Sequence, residues 1–184
     1  YKRQEVNPSG HLADTYAYDL TTAPSYYNFG DYTYSNFDGN NKYVYYQEGI
    51  YVGYRYYETA AADGYIDYDT TVQFPFGYGL SYTNFDWEVE KTELGDIGGT
   101  INIDVKVTNT GDVAGKDVVE LYYAAPYDPA EEIEKSSVVL GAFEKTNTLK
   151  PGESETVTLT MNVDDMASYD SVSYTHLTLP TNSR

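Results

Sequence analysis

The sequence predicts a mainly β protein whose second half folds as an antiparallel sandwich. Three features point there: strict period-two alternation of apolar and polar residues after Asn84, tight-turn chemistry between the alternating runs, and an earlier stretch where Gly, Pro, Asn and Asp break up short aromatic runs. Side chains on a strand point alternately to opposite faces, so alternation puts one face in a core and the other in water.

Before Asn84 the segments "NPSG", "TTAPSYYNFGDY" and "FDGNNK" are turn chemistry. The one convincing run is "KYVYYQEGIYVGYRYYETAAADG", residues 42–64. It predicts a short strand over Tyr43 to Tyr46, an extended segment, and a helical turn from Arg55 to Ala62. So long a region with so little periodicity is expected to wrap over another surface rather than build its own core. After Asn84 five strands are expected: "NFDWEVEKTEL", "TINIDVKVTNTG", "DVVELYYAA", "SSVVLGAFEKT" and "SETVTLTMNV". In the second, Ile101, Ile103, Val105 and Val107 share one face, while Asn102, Asp104, Lys106 and Thr108 share the other. Trp87, at the start of the first strand, is expected to be buried. "NTGDVAGK" and "LKPGES" supply the turns. An immunoglobulin-like sandwich needs about seven strands, so the domain is expected to be truncated. The last residues, "VSYTHLTLPTNSR", contain no acid and resemble translated adaptor or read-through sequence; the alternative is an ordinary Thr-rich strand.

Charge narrows the function classes. A net charge of −18 and a pI near 4.1 leave too few cations to neutralise phosphates, which excludes nucleic acid and anionic membrane as partners. No apolar run approaches the ~20 residues that span a bilayer. Without Cys there are no disulfides, thiolate metal sites or Cys nucleophiles, which suits a cytoplasmic or a secreted protein equally. The 23 Tyr are the compositional oddity; a large apolar ring with a polar tip suits domain joints and sugar-stacking platforms alike.

Four motifs in order, "VNPSGHLADT" (6–15), "YYQEGIYVGYRYYE" (45–58), "FPFGYGLSYTNF" (74–85) and "VTNTGDVAGKDVVELYYAAP" with "LGAFEKTNTLKPGESETVTLTM" (107–161), resemble the C-terminal part of glycoside hydrolase family 3 enzymes of the β-glucosidase-like group. His11 and Ala13 stand where the family more often has Arg and Pro, and the Tyr-rich stretch 24–46 resembles an insertion relative to shorter members. The resemblance implies that residues 1–83 are the end of an α/β sandwich domain with its linker and 84–171 an incomplete fibronectin type III-like domain; the acid-free, adaptor-like sequence of 172–184 makes those residues a non-native tail. It also implies retaining hydrolysis of β-linked sugars by two carboxylates. The nucleophilic Asp and the acid/base Glu would lie in upstream catalytic domains absent from this chain, leaving the fragment itself inactive. The implied substrate is a β-linked oligosaccharide or glycoside, met through the complete enzyme, with no cofactor.

Within the chain, Glu48 and Glu58 are the least implausible carboxylates for a glycosidase pair, although solvated or paired carboxylates are far commoner. Tyr51, Tyr54, Tyr56 and Tyr57, with Arg55 between rings, are the candidate sugar-binding residues; a structural role is the rival for each. Phe74, Phe76, Tyr78 and Tyr82 are expected to cement a joint, with Gly77 and Gly79 admitting backbone angles or close approaches that a side chain would block. "FDGNN" offers calcium-like ligands without the spacing of a calcium loop, and His11 and His176 are too far apart in sequence to suggest a metal site. The rival functional classes are a free-standing carbohydrate-binding or adhesive module and a structural spacer.

Overall fold

A computed structural model describes residues 6–28, 32–33, 42–131, 133–170 and 175–177; "FDGNN" and most of the tail lie outside them. Internal contacts divide the chain into two compact units. One is Ala13–Phe76; the other joins the first residues, through Leu12, to everything from Gly77 onward.

In Ala13–Phe76, β1 (Tyr16–Ala17) opens a run of short elements, followed by β2 (Tyr32–Thr33) and β3 (Lys42–Tyr43), which pair with each other. Next come α1 (Tyr54–Ala62), α2 (Tyr68–Thr71) and β4 (Val72–Phe74), the last pairing antiparallel with β1. The helical turn expected from Arg55 is thus a two-and-a-half-turn helix. It stops because Gly64 takes the left-handed region at φ 76°. Tyr65 N then donates to Ala60 O at 2.8 Å and Gly64 N to Ala61 O at 3.0 Å, a Schellman closure. Buried apolar groups are few here: Tyr57 and Ala60 on one face of α1, and Val72.

The second unit is the sandwich. All five expected strands form: β5 (Phe85–Glu93), β6 (Thr100–Asn109), β7 (Val118–Tyr123), β8 (Val139–Lys145) and β9 (Ser154–Asn162). One sheet runs β5-β6-β9 and the other β7-β8, all antiparallel. β10 (Ser168–Asp170) pairs with β11 (Thr175–Leu177). Val105, Val107, Val119, Leu149, Val157 and Leu159 form the buried cluster, with Phe85, Ile103, Leu121 and Ala142 against it. Each such aliphatic side chain contributes about 1.5–3 kcal/mol on burial. The outward face of β6 and β9 is a polar ladder in which Thr158 Oγ1 donates to Asp104 and Thr160 Oγ1 to Asn102. Pro151 and Gly152, the latter at φ 76°, turn the chain into β9, as the "LKPGES" signal predicts.

Two expectations fail: the strand expected over Tyr43 to Tyr46 is confined to Lys42–Tyr43, where its partner β2 is only two residues long, and Trp87 is not buried. Trp87 pairs with Val107 and Val89 with Val105, so both lie on the core side of their sheet, yet they are 53% and 63% exposed. Val107 is 0% exposed. Phe85, at the start of β5, packs against the buried cluster, but Trp87 and Val89 farther along are left uncovered. Trp87 reaches across instead, and its indole Nε1 donates to Asp117 Oδ2 at 2.8 Å.

Candidate functional site

The aromatic candidates gather at the start of α1. Gly53, at φ 55°, turns the chain into the helix without a side-chain cap. Tyr54 packs against Phe76 with ring centroids 4.8 Å apart, and the Arg55 guanidinium lies 5.9 Å from the Tyr54 ring centre. Tyr56 meets Tyr57 edge to face at 5.1 Å. The five do not share one environment. Tyr57 is only 4% exposed, with its hydroxyl 3.3 Å from Thr22 Oγ1, so its ring is core. Tyr51, Tyr54, Arg55 and Tyr56 are half-buried and keep part of their surface accessible.

The carboxylates nearby are engaged in local structure. Glu58 accepts a hydrogen bond from the Tyr68 hydroxyl at 2.6 Å, and burial, reinforced by this carboxylate, pushes the Tyr68 phenol well above its usual range. Backbone N–H groups hold the exposed Glu48 carboxyl below its ordinary range. A glycosidase general acid needs the opposite shift. Among the described residues no group of three or more His, Asp or Glu is placed to hold a metal ion, and no helix is long and apolar enough to cross a membrane.

The denser construction lies in the sandwich unit, where residues 7–12 and 77–82 run side by side as a strap. Leu12 N donates to Tyr78 O and Gly77 N to Leu12 O, both at 2.8 Å, and His11 bridges Gly79. Asn7 ties the strap down: its Nδ2 donates to Ser81 Oγ at 3.1 Å and Ala114 O at 3.2 Å, while its Oδ1 accepts from Tyr82 N at 2.8 Å. Lys145 Nζ adds a bond to Ser9 O. The glycines do what their positions suggest. Gly77 adopts φ 77° with the Glu120 carboxylate where a Cβ would stand, and a Cβ on Gly79 would meet the His11 ring at 2.7 Å. Of the rings expected to cement the joint, Phe76 packs on Tyr54, whereas Tyr82 is exposed.

Below the strap, Asn109 is fully buried and satisfied on both ends. Its Nδ2 donates to Val113 O at 2.8 Å and Leu149 O at 2.9 Å; its Oδ1 accepts from Thr83 Oγ1 at 2.6 Å and Gly111 N at 3.1 Å. Asp117 joins three elements. Besides Trp87 it faces His11 Nε2 at 3.9 Å, and its backbone exchanges hydrogen bonds with the buried Thr146. Sequence reasoning missed Asn7, Asn109 and Asp117. In "NPSG" and "TNTGD" the Asn residues look like turn formers, and only long-range partners reveal their roles.

The same architecture occurs in solved enzymes. A β-glucosidase from Paenibacillus barengoltzii superposes with a TM-score of 0.75 at 44% identity over 92% of this chain and 17% of that one. β-Glucosidase 3B from Thermotoga neapolitana, solved with glycerol, gives 0.72 at 38% identity, covering 91% of this chain and 21% of that one. By sequence, β-glucosidase A of Butyrivibrio fibrisolvens is 42% identical in an alignment of 179 positions that covers 90% of this chain and 20% of that relative. The relatives and structural neighbours that this chain matches are family 3 β-glucosidases. A fibronectin type III-like domain is matched over residues 117–178, within the sandwich unit. Thermostable β-glucosidase B of Acetivibrio thermocellus, 40% identical, shows the same proportions. The chain thus spans about a fifth of the length of such relatives.

Proposed function

We propose that this chain is the C-terminal, non-catalytic part of a retaining β-glycosidase that hydrolyses β-glucosides, with the sandwich acting as a buttress for catalytic domains upstream. One observation carries the reading: nine-tenths of the chain aligns with only a fifth of each β-glucosidase relative. Its own carboxylates fit this division of labour. Glu58 is occupied by Tyr68, and Glu48 is shifted away from general-acid duty. The nucleophile and the acid/base then belong to the upstream part, with no cofactor required.

The surface of Ala13–Phe76 supports a covered position in the complete enzyme. Tyr18, Leu20, Tyr27, Tyr46 and Tyr65 are all more than 60% exposed, large apolar groups that an upstream domain could cover. On the same surface, Tyr51, Tyr54, Arg55 and Tyr56 are the residues we assign to the edge of a sugar subsite. Tyr57 acts from the interior as packing.

The test is paired. The chain alone should release no aglycone from an aryl β-glucoside, while the full-length protein encoded at the source locus should. Tyr51→Ala and Tyr54→Ala in the full-length protein should raise KM for a cello-oligosaccharide with little change in kcat. Turnover by the chain alone that Glu48→Gln abolishes would overturn the assignment. Binding of a β-glucan by the isolated chain would favour a free-standing carbohydrate-binding module.

A further inference from the structure

The second limb of the strap, "GYGLSY" at 77–82, alternates small residues with large ones. The small set is used inside the sandwich unit. The Glu120 carboxylate stands where a Cβ of Gly77 would be, the His11 ring stands where a Cβ of Gly79 would be, and Ser81 Oγ bonds Asn7. The large set stays accessible: Tyr78, Leu80 and Tyr82 are 37%, 65% and 60% exposed. Alternate residues of an extended segment stand about 7 Å apart, close enough for such side chains to form one surface. Phe143 adjoins it. This ring pairs with Glu120 across β7 and β8 and lies two residues before Lys145, so it shares the sheet face to which Gly77 and Ser9 hold the strap, yet it is 66% exposed. One exposed ring on a protein surface is ordinary. Three apolar residues alternating on a segment fixed by backbone hydrogen bonds, with a fourth alongside, make a face suited to a partner.

We propose that Tyr78, Leu80, Tyr82 and Phe143 are the seat on which the catalytic part upstream of this chain docks. The proposal rests on the functional reading above and names the surface through which the buttress acts. Two observations choose this occupant. Nine-tenths of the chain aligns with a fifth of each β-glucosidase relative, so on that reading most of the polypeptide lies upstream. The chain also enters the sandwich unit along the first limb of the strap, where Leu12 is hydrogen-bonded to Gly77 and Tyr78 at the head of the row. The upstream part is therefore tethered beside the seat, and docking there is an intramolecular event at high effective concentration. A second copy of the chain is a poor occupant, because each carries a net charge of −18 and the two repel.

Hydroxyl-radical footprinting of the full-length protein encoded at the source locus tests the seat, with each residue's modification rate taken relative to the same protein unfolded in urea. Leu80, Tyr82 and Phe143 should each be protected about fivefold or more, as side chains at the water-excluded centre of an interface are. Protection below about twofold at these three, the level that their 60–66% exposure alone would give, would overturn the proposal. Protection that fell on dilution would assign the seat to a second copy and overturn it equally. Hydrolysis of an aryl β-glucoside by the same sample separates the two readings. An active protein with an open row would fail the seat alone, whereas an inactive protein with a protected row would leave the seat standing and fail the functional reading.

Discussion

The sandwich and the segment Ala13–Phe76 draw on similar residues and settle them differently. In the sandwich, alternation sends Val105, Val107, Val157 and Leu159 to one side, where they meet Val119 and Leu149 in a single cluster. Among the described residues of Ala13–Phe76 the rings stand on turns and short elements and share no common face; Tyr57, Ala60 and Val72 are buried while Tyr46 and Tyr65 lie open. Apolar content alone does not make a core. What decides is whether the backbone repeat returns each ring to the same side.

The comparison can be broken first at Asn109. Asn109→Ala strands the carbonyl of Val113, the hydroxyl of Thr83 and the amide of Gly111, takes one of two donors from the Leu149 carbonyl, and should cost the sandwich about 3–5 kcal/mol in urea unfolding. A loss below about 1 kcal/mol would mean that water replaces the side chain and that the strap does not depend on it. Leu159→Ala, at 2% exposure, should cost about 3 kcal/mol, a typical value for an aliphatic core truncation. Tyr46→Ala, by contrast, should leave the isolated chain within about 0.5 kcal/mol of wild type. A large effect at Tyr46 would show that Ala13–Phe76 does hold itself together through its rings.

Two glycines sharpen the same contrast at smaller scale. Gly64 and Gly77 have nearly equal positive φ, 76° and 77°, but nothing stands within 4 Å of a Cβ at Gly64, while the Glu120 carboxylate occupies that place at Gly77. Gly64→Ala should therefore cost about 1 kcal/mol from the backbone alone. Gly77→Ala should cost about 1 kcal/mol more, because Glu120 must move and release the Tyr122 hydroxyl. The smallest effect belongs to Tyr68. Its raised phenol favours the neutral form in the folded state, so its contribution is present below the ordinary tyrosine pKa and is lost as pH rises through the raised one. Ala13–Phe76 should lose stability in strong alkali, and Tyr68→Phe should remove part of that slope in a circular-dichroism titration.

The strands were legible because each carries its own signal: five alternating runs produced five strands in their places. The helix after Gly53 was legible in outline, and its end follows from Gly64. Trp87 was misjudged because alternation fixes which face a residue takes, not whether anything covers it there. At the candidate sugar edge, sequence identified the rings but could not separate Tyr57, held inside by its neighbours, from Tyr51, Tyr54 and Tyr56. Asn7, Asn109 and Asp117 were illegible for a related reason. Their partners lie tens of residues away, and nothing in a local pattern announces a hydrogen bond at that range.

The paired bonds between Leu12 and the segment Gly77–Tyr78 carry a consequence for how such a chain can change. Ala13–Phe76 leaves and rejoins the sandwich unit at one doorway, already closed by backbone contacts. Material added between those posts adds a loop-closure cost that grows only with the logarithm of its length, and it leaves the doorframe untouched. The Tyr-rich stretch 24–46 lies inside that doorway. Exchanging it for a shorter or longer counterpart should alter what the segment presents to its surroundings while the sandwich folds as before.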